Sequence, residues 1–217
     1  MPILPFIVSI FSIGAMVLGT GAVSGQGYPI KPIRVVTAAI GGGSDFTTRL
    51  IAQAISGPLG QPLIVDNRPP GVIQGVIISN APPDGYTLLV SGSSVFTFPL
   101  LQKAPYDPVK DFSPITVTSA EPSALAPGLP TVAATGLPGY QMEGITAIFA
   151  PARTPEAIIN RLNQEIVRFL RTPKAKEQLL NVGAEVVASS PAELAATLKS
   201  EMAKMSKVIK EAGIRVD

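Results

Sequence analysis

Short β-rich runs alternate with amphipathic stretches along the chain, and this alternation constrains the fold more than any other feature of the sequence. Residues 33–37 are rich in β-branched side chains and precede three glycines, and residues 44–55 then carry apolar side chains near helical spacing. Residues 62–65 and 86–90 are two further apolar runs of strand length. The pattern predicts an α/β fold: a single Rossmann-like lobe with a mostly parallel sheet and flanking helices.

The second half of the chain continues this pattern after a proline-rich interval. Four prolines between residues 118 and 138 disfavour a regular helix or an interior strand, so we expect a crossing segment there. Residues 145–149 then predict another strand. Three helices are expected to be capped by Thr154, Thr172 and Ser190, because each of these residues is followed by proline.

The chain contains no Cys and no His, which removes most catalytic and metal-binding constellations. A nucleophilic Ser93 would need a Lys, Asp or Glu base at a motif spacing, and the sequence offers none. A hydrolytic enzyme is therefore the least favoured alternative, and we predict no catalytic residue, no metal site and no cofactor. The net charge of +2 is spread without a block of like charges, so no nucleic-acid partner is expected.

The first 24 residues are predicted to be a signal peptide. Residues 3–23 are apolar and uncharged, and the small residues at positions 22 and 24 fit a signal-peptidase site. A retained membrane anchor is the alternative, since about 20 apolar residues can span a bilayer. Either alternative places the rest of the chain outside the cytoplasm, in the periplasm or tethered to its membrane.

Two loops are the candidate binding elements. Residues 41–45 form a glycine turn that leads into a helix N-terminus, where unpaired N–H groups and the helix dipole favour an anion. The alternative is a tight turn capped by Ser44 or Asp45 with no ligand. Residues 91–94 follow another strand and are expected to line the same crevice, because loops at the carboxyl ends of neighbouring parallel strands meet there. The residues assigned to ligand binding are Ile40, Gly41, Gly42, Gly43, Ser44, Asp45, Ser91, Gly92, Ser93 and Ser94.

Several runs resemble the extracytoplasmic receptors of tripartite tricarboxylate transporters, also called Bug-type solute-binding proteins. The two most specific runs are Pro-Asp-Gly-Tyr-Thr-Leu-Leu at residues 83–89 and Pro-Tyr-Asp-Pro-Val-Lys-Asp-Phe at residues 105–112. Further matches are residues 28–34, 59–62, 67–69, 129–132, 136–140, 150–151 and 154–155.

The resemblance implies a periplasmic binding protein of type II, a two-lobed clamp that closes on a small carboxylate without chemistry. It also implies that the ligand is delivered to the permease subunits of a tripartite tricarboxylate transporter. By the same resemblance, the loops matched by residues 37–45 and 91–94 hold the ligand carboxylate. Residues 39 and 40 and the loop 70–75 depart from the family pattern, which bears on the geometry of these loops.

The resemblance also implies a missing lobe, because the family places a whole domain between the positions matched by Phe112 and Leu129. Residues 28–115 then form the first part of lobe 1, residues 116–140 the residual crossover, and residues 141–217 the rest of lobe 1. Loss of the far wall is expected to impair binding and to bare apolar surface around Phe96, Phe98 and Leu100. A homo-oligomer that supplies a second wall, or a non-binding remnant or structural module, are the alternatives.

Overall fold

The computed structural model describes residues 27–121 and 144–214. Their elements in chain order are β1 (Ile33–Thr37), α1 (Gly43–Leu59), β2 (Leu63–Asn67), α2 (Val72–Ser79), β3 (Thr87–Ser91), α3 (Ser94–Leu101), α4 (Pro108–Asp111), β4 (Phe112–Glu121), β5 (Gly144–Pro151), α5 (Glu156–Leu170), α6 (Pro173–Leu180), β6 (Glu185–Val186) and α7 (Pro191–Glu211). The predicted signal peptide lies outside the described residues. Among the helices of the two described ranges, none is both long and apolar enough to cross a membrane.

One sheet, in the order β2-β1-β3-β5-β4-β6, carries the fold. Strand β1 pairs in parallel with β2 on one side and β3 on the other, with Val35 opposite Val65 and Leu88. Helices α1 and α2 provide the crossovers that parallel strands need. The predicted α/β class, with a single sheet and flanking helices, is confirmed.

The sheet is mixed rather than mostly parallel, which corrects the sequence prediction. Strand β5 runs antiparallel to both β3 and β4, and β6 runs antiparallel to β4. Glu121 at the end of β4 lies opposite Gly144 at the start of β5. An antiparallel pair whose ends meet in this way needs no crossover helix, so the strand–helix alternation that predicted parallel pairing does not apply here.

Strand β4 also runs past the expected start of the crossover at residue 116, since it continues to Glu121. The strand accommodates Pro114 at a register shift between Pro114 and Thr116, which is a common place for a proline in a sheet. The rest of the expected crossover, from residue 122 to residue 140, lies outside the described residues.

The sheet is covered on both faces, and its two cores follow the alternation of side chains along the strands. Val35 belongs to the core formed with α1, α5 and α6, whereas its neighbour Val36 belongs to the core formed with α2, α3 and α7. Phe96, which was expected in a region of bared apolar surface, is buried in the second of these cores because α7 covers α3. Phe98 and Leu100 of the same region are half-buried.

Two of the three predicted helix caps are confirmed. The Thr172 side chain accepts a hydrogen bond from the Ala175 N–H, and Ser190 forms a capping box with Glu193. Thr154 does not cap α5, because its hydroxyl donates to the Pro151 carbonyl at 2.7 Å and Pro155 occupies the cap position.

Two of the family-like runs meet at Gly85. The Tyr28 hydroxyl donates to the Gly85 carbonyl at 2.6 Å. Gly85 has φ of 79°, and a Cβ atom there would lie 2.6 Å from Ile158 Cγ2 and 2.9 Å from the Tyr28 ring. Only glycine fits this position without strain, so the contact between Tyr28 and Gly85 holds the start of β3 in place.

Candidate functional site

The glycine turn before α1 leaves backbone donors open. Gly41 has φ of 85°, and residues 40–43 are exposed, with Ile40 at 78%. Helix α1 begins at Gly43, and its cap residue Gly42 has no side chain to accept a hydrogen bond. Across the described ranges, the N–H groups of residues 43–45 find no acceptor. This helix N-terminus therefore offers several donors and the positive end of a dipole.

The Asp45 side chain is buried beneath this turn and anchors it. The side chain is 3% exposed, and its carboxylate accepts hydrogen bonds from the Gly41 N–H, Arg49 Nε and Asn67 Nδ2 at 2.8–3.1 Å. Burial raises the pKa of Asp45, but the hydrogen bonds from Arg49, Asn67 and Gly41 outweigh burial and lower the pKa to about 2. The side chain of Asp45 therefore holds the turn, as in the alternative in which Ser44 or Asp45 only caps it.

Asn67 and Arg49 complete the anchor, and neither was among the candidate residues. Asn67 Nδ2 also donates to the Ala38 carbonyl at 2.6 Å, and Arg49 Nη2 donates to Asn67 Oδ1 at 2.9 Å. The end of β1, the first turns of α1 and the end of β2 are thus tied together. The Asn-Arg-Pro run at residues 67–69 was the signal available in the sequence, although it did not indicate this role.

Ser91, the first residue of the second loop, is also structural by placement. It is 1% exposed, and its hydroxyl donates to Gln74 Oε1 at 2.9 Å. Gln74 is fully buried on α2, and its amide donates to the Arg68 carbonyl at 3.3 Å. The buried pair joins β3 to α2, and nothing in the sequence around Gln74 distinguished it from a surface residue.

Ser93 and Ser94 are half-buried at the start of α3, and their side chains are available for a ligand. Ser93 occupies the cap position of α3 without a side-chain cap. Within the part of the chain that the structure describes, the hydroxyls of Ser44, Ser93 and Ser94 have no hydrogen-bond partner. These three hydroxyls lie at the same edge of the sheet.

The two loops lie at the same edge of the sheet, as predicted. They follow the parallel neighbours β1 and β3, and a Cβ atom on Gly92 would lie 4.0 Å from Ser44 Oγ and 3.6 Å from the Ile145 carbonyl. We call the space between residues 40–45 and 91–94 the loop crevice. Ligand binding by its residues stays a prediction.

Tyr106 holds the α3 side of the loop crevice. Its hydroxyl donates to the Val95 carbonyl at 2.8 Å, one residue after the serines. Its ring lies against Gly75, where a Cβ atom would come within 2.2 Å, and stacks on Phe112 with 5.5 Å between ring centroids. The family-like run at residues 105–112 therefore supports the start of α3 through packing.

Glu121 is a charged residue of the loop crevice that the sequence did not indicate. It ends β4 and is exposed, and a Cβ atom on Gly43 would lie 3.1 Å from Glu121 Oε1. A Cβ atom on Gly144 would lie 3.3 Å from Oε2. In the described ranges the carboxylate has neither an ion-pair nor a hydrogen-bond partner, and no group of three or more acidic side chains could hold a metal ion.

Comparison with known sequences gives one family. The profile of the tripartite tricarboxylate transporter family receptor matches residues 47–126 and 115–214. A UPF0065 protein of Bordetella bronchiseptica is 34% identical over 180 residues, which cover 77% of this chain and 50% of that protein. Another UPF0065 protein, from the TAR-I ttuE-ttuC' intergenic region of Agrobacterium vitis, is 24% identical over 309 residues, which cover 92% of this chain and 89% of that protein. The chain thus spans half the length of the Bordetella relative.

Solved structures share the fold. The periplasmic binding protein BugD superposes with a TM-score of 0.80 at 20% identity, covering 87% of this chain and 99% of that one. A Rhodopseudomonas palustris protein with adipate gives a TM-score of 0.79 at 22% identity, covering 87% of this chain and 99% of that one. MatC from the same organism, with bound malate, gives a TM-score of 0.78 at 21% identity, covering 84% of this chain and 100% of that one.

Proposed function

We propose that this chain, which belongs to the tripartite tricarboxylate transporter receptor family, is a solute-binding receptor that holds a small carboxylate in the loop crevice. The observation that carries the proposal is the meeting of unpaired donors there. The N–H groups of residues 43–45 and the hydroxyls of Ser93 and Ser94 have no acceptor in the described residues. No chemistry is proposed, because the matching family profile is that of a receptor and the solved neighbours include the periplasmic binding protein BugD.

A ligand carboxylate would accept hydrogen bonds from the first turn of α1 on one side and from the serine hydroxyls on the other. Charge-assisted hydrogen bonds of this kind are shorter and stronger than neutral ones, and the helix dipole adds to them. The anchor of Asp45, Arg49 and Asn67 would fix the donors before the ligand arrives, so little ordering entropy is lost on binding.

The ligand class rests on the solved neighbours. Two of them hold adipate and malate, both of which are small dicarboxylates. Because those neighbours are no more than 22% identical to this chain, they support the class of ligand and leave its identity to experiment. Delivery of that ligand to a membrane permease is proposed on the same family grounds.

A second lobe is proposed to be missing from the chain. The alignment with the Agrobacterium relative runs over 309 positions, more than the 217 residues of this chain, so that relative has residues without a counterpart here. The two stretches matched by the family profile also overlap at residues 115–126, around the end of β4. A one-sided crevice encloses less of the ligand, so we expect weak affinity unless a second copy supplies the other wall.

Export is proposed from residues 1–24, whose apolar run fits a signal peptide, with the mature chain in the periplasm. Permease subunits in the membrane would then be the partner. Fractionation of cells that produce the full chain tests this proposal, because a cytoplasmic product of unprocessed mass would contradict it.

Thermal melting of residues 28–217 with adipate and malate tests ligand binding, since a ligand that binds only the folded state raises the melting temperature. Sodium chloride of equal ionic strength serves as the ligand control. The double variant Ser93→Ala with Ser94→Ala should lose most of the shift, whereas Ser200→Ala on the exposed part of α7 should keep it. A cooperative melt that no carboxylate moves would contradict the proposal and favour a non-binding remnant.

A further inference from the structure

The Glu121 carboxylate lies beside the donors that the proposed function assigns to the ligand. A Cβ atom on Gly43, the first residue of α1, would lie 3.1 Å from Glu121 Oε1. Glu121 follows the last buried residues of β4 and is exposed at its end. Its position is fixed by pairing with Gly144 across the β4–β5 ladder.

No cation neutralises Glu121 among the residues that the structure describes. Three other carboxylates at helix starts have a donor: Asp45 is bound by Arg49, Asp107 by Lys110 and Glu193 by the Ser190 N–H. Glu121 has no such contact, although its side chain is exposed and its two carboxylate oxygens approach Gly43 and Gly144. The open carboxylate is therefore free to meet a group that enters the loop crevice.

This arrangement discriminates between ligands by charge. A ligand carboxylate bound to the first turn of α1 would lie within a few ångströms of a second carboxylate, and like charges at about 4 Å repel measurably even at the dielectric constant of water. A ligand that carries an ammonium group next to its carboxylate would instead place that cation against Glu121. The same residue thus penalises one ligand and stabilises the other.

We infer that Glu121 is a specificity-determining residue of the loop crevice, which makes the crevice prefer a zwitterionic amino-carboxylate to the corresponding dicarboxylate. The inference rests on the proposed function and goes beyond it by setting the charge pattern of the ligand. A purely structural role, in which Glu121 only stabilises the α1 dipole, would change the melting temperature and leave the ligand preference unchanged.

Two matched pairs of ligands test the inference, because each pair differs by one ammonium group: aspartate against succinate, and glutamate against glutarate. Isothermal titration calorimetry of residues 28–217 at pH 7 and low ionic strength compares the wild type with Glu121→Gln. The control is Glu156→Gln, which removes an exposed carboxylate in the first turn of α5, away from the crevice.

We expect the ratio of amino-acid to dicarboxylate affinity to fall by about fivefold or more in Glu121→Gln, as the repulsion at about 4 Å implies, and to stay unchanged in Glu156→Gln. Added salt should narrow the difference in the wild type. An unchanged ratio in a variant that still binds would overturn the role of Glu121 alone. Absence of binding by the wild type for all four ligands would overturn the inference, and the proposed function falls with it only if adipate and malate also leave the melting temperature unchanged.

Discussion

Replacement of Asp45 by asparagine probes the anchor beneath the loop crevice. The change keeps the shape of the side chain but removes its charge and turns one acceptor oxygen into a donor, which then faces donors on Arg49 and Asn67. The pKa of Asp45 is lowered from 3.8 to about 2 in the folded chain. Since one pKa unit corresponds to about 1.4 kcal/mol, the ionised carboxylate contributes about 2 kcal/mol to the free energy of unfolding at pH 7.

The pH dependence of this contribution has a definite sign. A carboxylate whose folded-state pKa is depressed stabilises the fold above its unfolded pKa, near 3.8, and loses that effect as the pH falls through about 2. The difference in unfolding free energy between wild type and Asp45→Asn should therefore be constant between pH 5 and 7. It should shrink to roughly half by pH 3.

Urea unfolding followed by far-ultraviolet circular dichroism measures this difference, since the chain has no Trp for fluorescence. Glu211→Gln is the control, because Glu211 forms only an exposed pair with Lys207 at 3.9 Å and should cost less than about 0.5 kcal/mol. The stabilising role of the Asp45 carboxylate would be wrong if Asp45→Asn lost no more unfolding free energy than the control at pH 7. It would also be wrong if that loss stayed the same down to pH 3.

Three further variants, with Gly57→Ala as a control, test local contacts of the fold by the same unfolding assay. Gly85→Ala should cost about 2 kcal/mol or more, because its φ of 79° and the 2.6 Å approach to Ile158 leave no room, whereas Gly57→Ala, with nothing within 4 Å, should be neutral or stabilising. Tyr106→Phe should cost about 1 kcal/mol through an unpaired α3 carbonyl, and a neutral effect would show that water replaces the hydroxyl. Ser190→Ala should cost about 1 kcal/mol by loss of the capping box, and an unchanged midpoint would contradict that role.

Local chemistry made part of the fold readable from the sequence. The bounds predicted for β1 agree with the structure residue for residue, because a β-branched run ends there in a glycine turn. Thr172 and Ser190 were found as caps because a small hydroxyl residue before proline satisfies the first N–H groups of a helix. Thr154 carries the same signal, but a nearby carbonyl competes for its hydroxyl, and that carbonyl is set by the tertiary structure.

Long-range pairing could not be predicted from the same signals. The direction of β5 depends on its pairing with β3 and β4, and no local pattern specifies whether a strand joins a sheet parallel or antiparallel. In the loop crevice, the glycines and serines were visible as a pattern, but the contacts of Asp45 with Asn67 and of Ser91 with Gln74 join distant segments. Glu121 enters the crevice only through the β4–β5 pairing.

The most direct test of ligand binding in the loop crevice follows backbone amide signals of residues 28–217 by NMR while adipate is titrated into the sample. Binding there should give saturable shifts that are largest for the amides of Gly43, Ser44, Ser93 and Ser94, with small changes elsewhere. The absence of saturable shifts up to tens of millimolar adipate would contradict it. So would shifts centred on the groove that contains Arg168 and Arg171 between α5 and α7.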